Sequence, residues 1–356
     1  PQPNKSNIKT DKNGTQFNNK SNPKAVTQSE AKEEIITQGL ADYKYKRIPF
    51  TSPRMNYCTF GGIPIGRITE FYGEEHGGKT TTALDIVSNY QMMEGAKDVL
   101  YVDAENTLDV EWASKLGVDV SKLYILQPKT QPAEEIFDIM IESIDSGECG
   151  LWILDSIGAL LSKQEWEKDA DEKTYGGISM PLTRFAKKAE MLNIRNNCTG
   201  IGINQLRDKL TGYGGIQTPG GRAWKHFCSV RMQFSRGQFL DEKGNTLTRG
   251  AESPVGNIVM MSMEKNKTCP PTRRTGQYTI NYEYGIDYIR DLVDVAITYD
   301  IIKKSGSWFE IVNTDTGELL KDKIQGQANV YAYLESDETT LSIIEQLVNN
   351  AMGILA

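Results

Sequence analysis

Residues 73–80 read Gly-Glu-Glu-His-Gly-Gly-Lys-Thr, a complete G-x-x-x-x-G-K-T phosphate loop. Each part has its own task on a triphosphate. Gly73, Gly77 and Gly78 let the backbone curl so that its N–H groups face phosphate oxygens, and the N-terminus of a following helix adds the positive end of a dipole. Lys79 reaches the β- and γ-phosphates, and Thr80 offers its hydroxyl to magnesium. Glu74, Glu75, His76 and Thr81 complete the stretch that would line the phosphates. The flanks agree: Arg67-Ile-Thr-Glu-Phe-Tyr72 alternates like a strand, and 81–90 continues as a helix with Ala83, Leu84 and Val87 on one side. A glycine-rich turn that merely ends in Lys-Thr lacks that setting. The chain is expected to bind a nucleoside triphosphate.

Further groups belong to the same chemistry. Asp155 ends an apolar run, Gly150-Leu-Trp-Ile-Leu-Asp155. An acid there is sometimes only a helix cap; below a phosphate loop it is expected to hold magnesium beside Thr80. Glu105 follows the apolar run Asp98–Asp103 and is either the group that orients an attacking water or a surface-loop acid. Gln205 ends the run Gly200-Ile-Gly-Ile-Asn-Gln205 and is either a γ-phosphate sensor or a capping amide. The segment after it, 206–222, is rich in glycine and carries Arg207, Lys209, Tyr213, Gly220, Gly221 and Arg222. Such a loop is either a nucleotide-switched DNA contact or a mobile surface loop.

Strand and helix must alternate to bring these groups together. Apolar runs at 98–103, 123–126, 150–155 and 200–205 are separated by helix candidates at 133–144 and 181–195, which predicts a parallel sheet covered on both faces. Runs at 230–234, 257–263 and 277–282 follow with short turns and predict an extension that is antiparallel in part. A different composition begins near Ile286, with a helix candidate at 292–299, strands around Trp308 and a last helix from Thr339, and reads as a small separate α/β domain. At the other end, residues 1–26 are polar and read as disordered. Thr27-Gln-Ser-Glu30 fits a capping box for a helix ending near Gly39, which either packs on its own core or docks on a neighbour.

Composition narrows the chemistry. Only His76 and His226 are histidines, against a serine–histidine triad or a multi-histidine metal site. Five scattered cysteines, none in a C-x-x-C pair, predict reduced thiols and a cytoplasmic protein. There is no secretion signal and no membrane-spanning run, so no membrane partner is expected. The net charge of −7 requires that any DNA contact come from a local concentration of basic residues.

The ordered set of motifs from about Gly61 to Val348 resembles the bacterial RecA family of ATP-dependent homologous-recombination proteins. Its landmarks are Gly62-Ile-Pro-Ile-Gly-Arg67, the phosphate loop, Asp103-Ala-Glu105, Leu108-Asp109, Lys115-Leu-Gly-Val-Asp119, Leu154-Asp-Ser156, Ile203-Asn-Gln205, Lys265-Asn-Lys267, Leu292-Val-Asp294, Gly306-Ser-Trp308 and Ile324-Gln-Gly-Gln-Ala-Asn329. The resemblance implies an α/β fold: a P-loop ATPase core (61–285), an N-terminal helix and linker strand for subunit docking (27–60) and a small C-terminal domain (286–356) that gathers DNA. It makes Glu105 the water-activating base and Gln205 the γ-phosphate sensor. Asp109 and Trp112 fall on the adenine contacts, with Tyr282 near the base. Lys265 and Lys267 resemble the pair that reaches a neighbour's ATP across a filament interface. Residues 163–177 and 206–221 match the two DNA loops, and Arg184 on the intervening helix joins the implied DNA contacts.

Several positions depart from the family pattern. Glu74-Glu75-His76-Gly77 replaces the usual Pro-Glu-Ser-Ser, and the first DNA loop is long and acidic (Glu165, Glu167, Asp169, Asp171, Glu172). The second is short and carries Tyr213, and His226 stands where an aromatic interface residue is typical. These departures suit a divergent member, such as a phage or mobile element encodes. The implied activity is a magnesium- and ATP-dependent recombinase that forms helical homo-oligomeric filaments on single-stranded DNA and pairs it with homologous duplex. One rival is another motor of the same fold, such as a hexameric helicase or repair ATPase, which has no reason to carry Lys265-Asn-Lys267. A second is a DNA-binding scaffold with vestigial ATPase activity, against which the intact Lys79, Glu105, Asp155 and Gln205 count.

Overall fold

A computed structural model describes residues 45–168, 177–208, 216–242, 244–248 and 253–353. The N-terminal helix candidate and the polar 1–26 segment lie outside the described residues, as do Lys209, Tyr213 and the Asp169, Asp171 and Glu172 of the first loop.

A short antiparallel pair, β1 (Arg47–Ile48) and β2 (Ile63–Pro64), flanks helix α1 (Pro53–Thr59). Ser52 caps α1 by accepting from the Met55 N–H, and Pro53 supplies a pre-set first helical turn. The core then alternates as the periodicity predicts: β3 (Ile68–Gly73), α2 (Lys79–Gln91), β4 (Asp98–Asp103), α3 (Val110–Lys115), β5 (Leu123–Leu126), α4 (Ala133–Asp145), β6 (Cys149–Asp155), the one-turn α5 (Lys163–Trp166), α6 (Ser179–Asn196) and β7 (Thr199–Gln205). A two-residue pair, β8 (Arg207–Asp208) and β9 (Ile216–Gln217), stands at the base of the second loop, and α7 (Gly221–Phe227) follows it. Then come β10 (Val230–Leu240), β11 (Gly256–Asn266), β12 (Thr275–Asn281) and β13 (Gly285–Ile286).

These strands form one nine-stranded sheet in the order β13-β12-β11-β10-β3-β7-β6-β4-β5. From β10 to β5 every pairing is parallel, and from β10 to β13 every pairing is antiparallel. The run 67–72 alternates as a strand with one polar face would, yet every residue of Ile68–Gly73 is buried, Glu70 included. The reason is its central place in a sheet covered on both sides. Along β4, Val99 and Tyr101 join the core on the α2 side, while Leu100 and Val102 join the core under α4, α6 and α7. Parallel pairing also brings the strand ends level: Gly73 stands opposite Gln205, and Asp103 opposite Asp155. The phosphate loop, the two acids and the amide therefore share one edge of the sheet.

Beyond β13, α8 (Tyr288–Thr298), β14 (Ile302–Ser305), β15 (Trp308–Val312), β16 (Leu319–Gln325), α9 (Gln327–Ser336) and α10 (Glu338–Met352) enclose a third apolar cluster, with Leu292, Phe309, Ile311, Val330 and Ile344 buried in it. The three strands are antiparallel. Among the described residues no helix is long and apolar enough to cross a membrane.

Candidate active site

The phosphate loop owes its path to glycine. At Gly73, with φ +155°, a Cβ atom would stand 1.9 Å from the carbonyl oxygen of Phe234 on the neighbouring β10. Gly78 caps α2 in the left-handed region, which leaves the first N–H groups of that helix open toward the loop. Lys79, the first helical residue, is buried, and its Nζ donates to the carbonyls of Gly73 (3.2 Å) and Glu74 (2.6 Å). Burial lowers the ammonium from the ordinary lysine value, and the carboxylates of Asp155, Glu105, Glu75 and Glu74 oppose that shift. Glu74, Glu75 and His76 point outward, and His76 adopts φ +56° without being glycine.

Asp155 lies at the end of β6 with Oδ2 accepting from the Thr80 hydroxyl (2.8 Å) and from the Tyr101 phenol (2.8 Å). Burial pushes this carboxyl up from its ordinary value, and the Thr80 and Tyr101 hydrogen bonds pull it back down. Glu105 stands on the turn after β4, where its Oε1 accepts from Ser156 Oγ (2.5 Å) and Gln205 Nε2 (2.8 Å). Asp103 fixes that turn by accepting from the N–H groups of Thr107 and Leu108, each at 3.0 Å. Lys79, Thr80, Glu105, Asp155, Ser156 and Gln205 thus line one cavity of about 390 Å³.

A second cavity of about 450 Å³ opens on the other side of His76, Lys79 and Thr80, which line both. It runs along Gly77, Gly78 and Thr81 to Trp112, Arg236, Asn257, Ile280 and Tyr282. Tyr282 donates its hydroxyl to Asn257 Oδ1 (2.8 Å), and the Arg236 guanidinium lies 4.9 Å from the Phe239 ring centre. Asp109 is absent from the lining; it caps α3 by accepting from the Trp112 N–H (3.0 Å) and so places the indole. Ser156 belongs to the landmark Leu154-Asp-Ser156, though its bond to Glu105 was not foreseen, and Tyr101, Arg236, Asn257 and Ile280 were not candidates from sequence. Of these only Tyr101, the one phenol between the valines and leucine of β4, carried a visible signal.

These residues fit a nucleoside triphosphate with its magnesium. The loop forbids a side chain at Gly73, a buried ammonium faces its mouth, and a hydroxyl and a buried carboxylate stand together at one end. Trp112, Tyr282 and Ile280 stand at the other, beside Arg236 and Asn257.

The remaining candidates lie elsewhere. Neither Lys265 nor Lys267 is among the residues lining either cavity. Lys265 Nζ donates to the carbonyls of Lys225 (2.5 Å) and His226 (3.0 Å) at the end of α7, and Lys267 Nζ donates to His226 (3.4 Å). Partial burial, then the Lys267 charge, lowers the Lys265 ammonium. Arg207 is exposed and donates to Gly158 O (2.7 Å); Gly220 caps α7, and Gly221 and Arg222 are exposed at its start. Arg184 stands apart, in a groove of about 360 Å³ between α4 and α6 that includes Phe137, Phe185, Lys187 and Lys188.

Comparison with known proteins bears on this arrangement. Residues 28–287 match the model of the RecA N-terminal domain, and 290–353 match that of the RecA C-terminal domain. Protein RecA of Sulfurimonas denitrificans is 37% identical over 297 residues, covering 83% of this chain and 80% of the relative. Protein RecA of Arthrobacter sp. is 34% identical over 296 residues, covering 83% and 79%. That of Campylobacter jejuni subsp. doylei is 34% identical over 297 residues, covering 83% and 81%. Matched along both its large sheet and its small C-terminal unit, the chain belongs to the RecA family.

Proposed function

We propose that this protein is an ATP-driven DNA recombinase, polymerising on single-stranded DNA and pairing it with homologous duplex. The observation that carries the reading is the convergence of Lys79, Thr80, Glu105, Asp155 and Gln205 on one cavity, with Lys265 and Lys267 outside it. Lys79 and the loop amides hold the triphosphate, and Thr80 and Asp155 hold magnesium, which when bound neutralises charge on the phosphate oxygens. Trp112 and Tyr282 hold the base, with Asp109 fixing the helix that carries Trp112. Glu105 orients water and takes its proton. Its Oε1 is held by Ser156 and Gln205, so a Gln205 amide that turns to the phosphate leaves Glu105 with Ser156 alone. Lys265 and Lys267 serve the next subunit's nucleotide, which makes each site complete only between two protomers. Arg207, Lys209, Tyr213, Arg222, Gly220 and Gly221 meet DNA at the filament axis with Arg184. The segment 27–60 docks the protomers, 61–285 is the ATPase core, and 286–356 gathers duplex.

Phosphate release measured with and without single-stranded DNA, together with a strand-exchange assay, tests this. Turnover should rise with single-stranded DNA, and homologous strands should exchange. Turnover indifferent to DNA, with no exchange, overturns the reading.

A further inference from the structure

Glu70 lies wholly buried in the middle of β3 and touches neither cavity. A buried carboxylate is costly unless charge and hydrogen bonds compensate it, and an apolar side chain would fill the same place without that cost. Three donors converge on it. Oε1 accepts from Asn204 Nδ2 (2.9 Å) and Trp224 Nε1 (2.9 Å), and Oε2 accepts from Arg231 Nε (2.5 Å).

Each donor leads to a different part of the proposed machinery. Asn204 immediately precedes Gln205, and its Oδ1 accepts from the Gln205 N–H (3.1 Å). The same Asn204 amide nitrogen also donates to the Pro219 carbonyl (3.0 Å), at the far base of the loop that follows Gln205. Trp224 belongs to α7, which begins where that loop ends. Its ring is pressed on β7, because a Cβ at Gly202 would stand 2.5 Å from Trp224 Cζ2. Arg231 lies over the Tyr72 ring (4.7 Å) and reaches Glu264 (3.6 Å), and the Tyr72 hydroxyl donates to Glu264 Oε2 (3.1 Å). Glu264 is the residue before Lys265, whose ammonium rests on the last carbonyls of α7.

We propose that Glu70 is a positioning residue that fixes Gln205, both bases of the second loop and Lys265 in one register, so that DNA on the loop accelerates hydrolysis. The proposal rests on the recombinase reading and adds the group that transmits its response to DNA. Glu70→Gln keeps the volume and one carbonyl acceptor but sets an amide N–H against either Arg231 or the Asn204 and Trp224 donors. Trp224→Phe keeps an aromatic filling and removes one donor.

The test is phosphate release with and without single-stranded DNA for the full chain and both variants, with ATP titrated and thermal melting as the folding check. Glu70→Gln should lower the DNA-stimulated kcat by about tenfold, with KM for ATP moved by less than about twofold since Glu70 lines neither cavity. Trp224→Phe should lower it by about threefold, less than the full worth of a hydrogen bond to a charged group because two of the three donors to Glu70 remain. A folded Glu70→Gln protein stimulated as strongly as wild type overturns the proposal, as does a raised KM with kcat intact. If Glu70→Gln does not fold, Trp224→Phe decides: a threefold loss supports the proposal and full stimulation overturns it. A wild type indifferent to DNA overturns the recombinase reading and this proposal with it, whereas a responsive wild type matched by its variants overturns this proposal alone.

Discussion

Asp291, on α8, holds the entry of the chain into its core. Its Oδ2 accepts from the Ser52 hydroxyl and from the Arg54 N–H (2.9 Å), so one carboxyl oxygen fastens the start of α1 to the C-terminal cluster. Burial pushes this carboxyl up to about 7 from an ordinary 3.8, against the lowering effect of those hydrogen bonds. Between those two values the native state keeps a proton that the unfolded chain releases. Stability from this group is therefore present at low pH and is lost as pH rises toward 7. From pH 5 to pH 8 the loss is worth two pH units of linkage, about 3 kcal/mol at 1.36 kcal/mol per unit. With an unfolding entropy near 2.1 cal/mol/K per residue, that is about 4 °C in Tm for a chain of this size. Asp291→Asn keeps an oxygen for both donors and carries no charge. Its Tm should therefore gain about 4 °C on wild type between pH 5 and pH 8. Asp85, raised to about 6 beneath Thr51, slopes both proteins alike and cancels in the difference. Parallel Tm curves for the two proteins across that range would refute the reasoning.

Under the proposed reading, Lys79→Ala should abolish ATP-dependent assembly on DNA, seen by light scattering or electron microscopy, since it removes the buried ammonium at the loop mouth. Glu105→Gln should assemble normally yet lose about 10²–10⁴-fold in turnover; normal phosphate release would cancel its role as base. Lys265→Ala should lower DNA-stimulated turnover while leaving nucleotide binding to an isolated protomer unchanged, which a fluorescent ATP analogue can read. Tyr282→Ala should weaken nucleotide binding by about tenfold through lost stacking, with kcat at saturation kept.

Much of the parallel core was legible because its signals are local. Apolar runs of strand length, helix periods between them and a phosphate loop at the first turn specify the alternation without long-range knowledge. Glu70 was not legible, because a polar residue in an alternating run looks the same whether its face meets water or a second layer of helices. Helix α9 was missed for a related reason. In Gln327–Ser336 only Val330 and Leu334 are buried, so the apolar stripe is too thin to announce a helix. The wall of Arg236, Asn257 and Ile280 comes from β10, β11 and β12, each far along the chain from the phosphate loop, and only strand order brings them to it.

That strand order has a mechanistic consequence. The cavity holding Glu105, Asp155 and Gln205 is built at the ends of parallel strands, whereas the aromatic cavity is walled largely by the antiparallel extension. His76, Lys79 and Thr80 are what the two share. Under the proposed reading affinity and turnover are accordingly separable: Tyr282 and Trp112 would serve the first and Glu105 and Gln205 the second, and a change at either end need not disturb the other. His76 is the exception, an exposed side chain in a left-handed backbone position at the junction of both. Since a non-glycine residue there costs about 1–2 kcal/mol, His76→Gly should relieve the backbone while removing an imidazole from both cavities. An altered KM and an altered kcat together would place the divergence of this phosphate loop at that junction, and a change in only one would assign it to a single cavity.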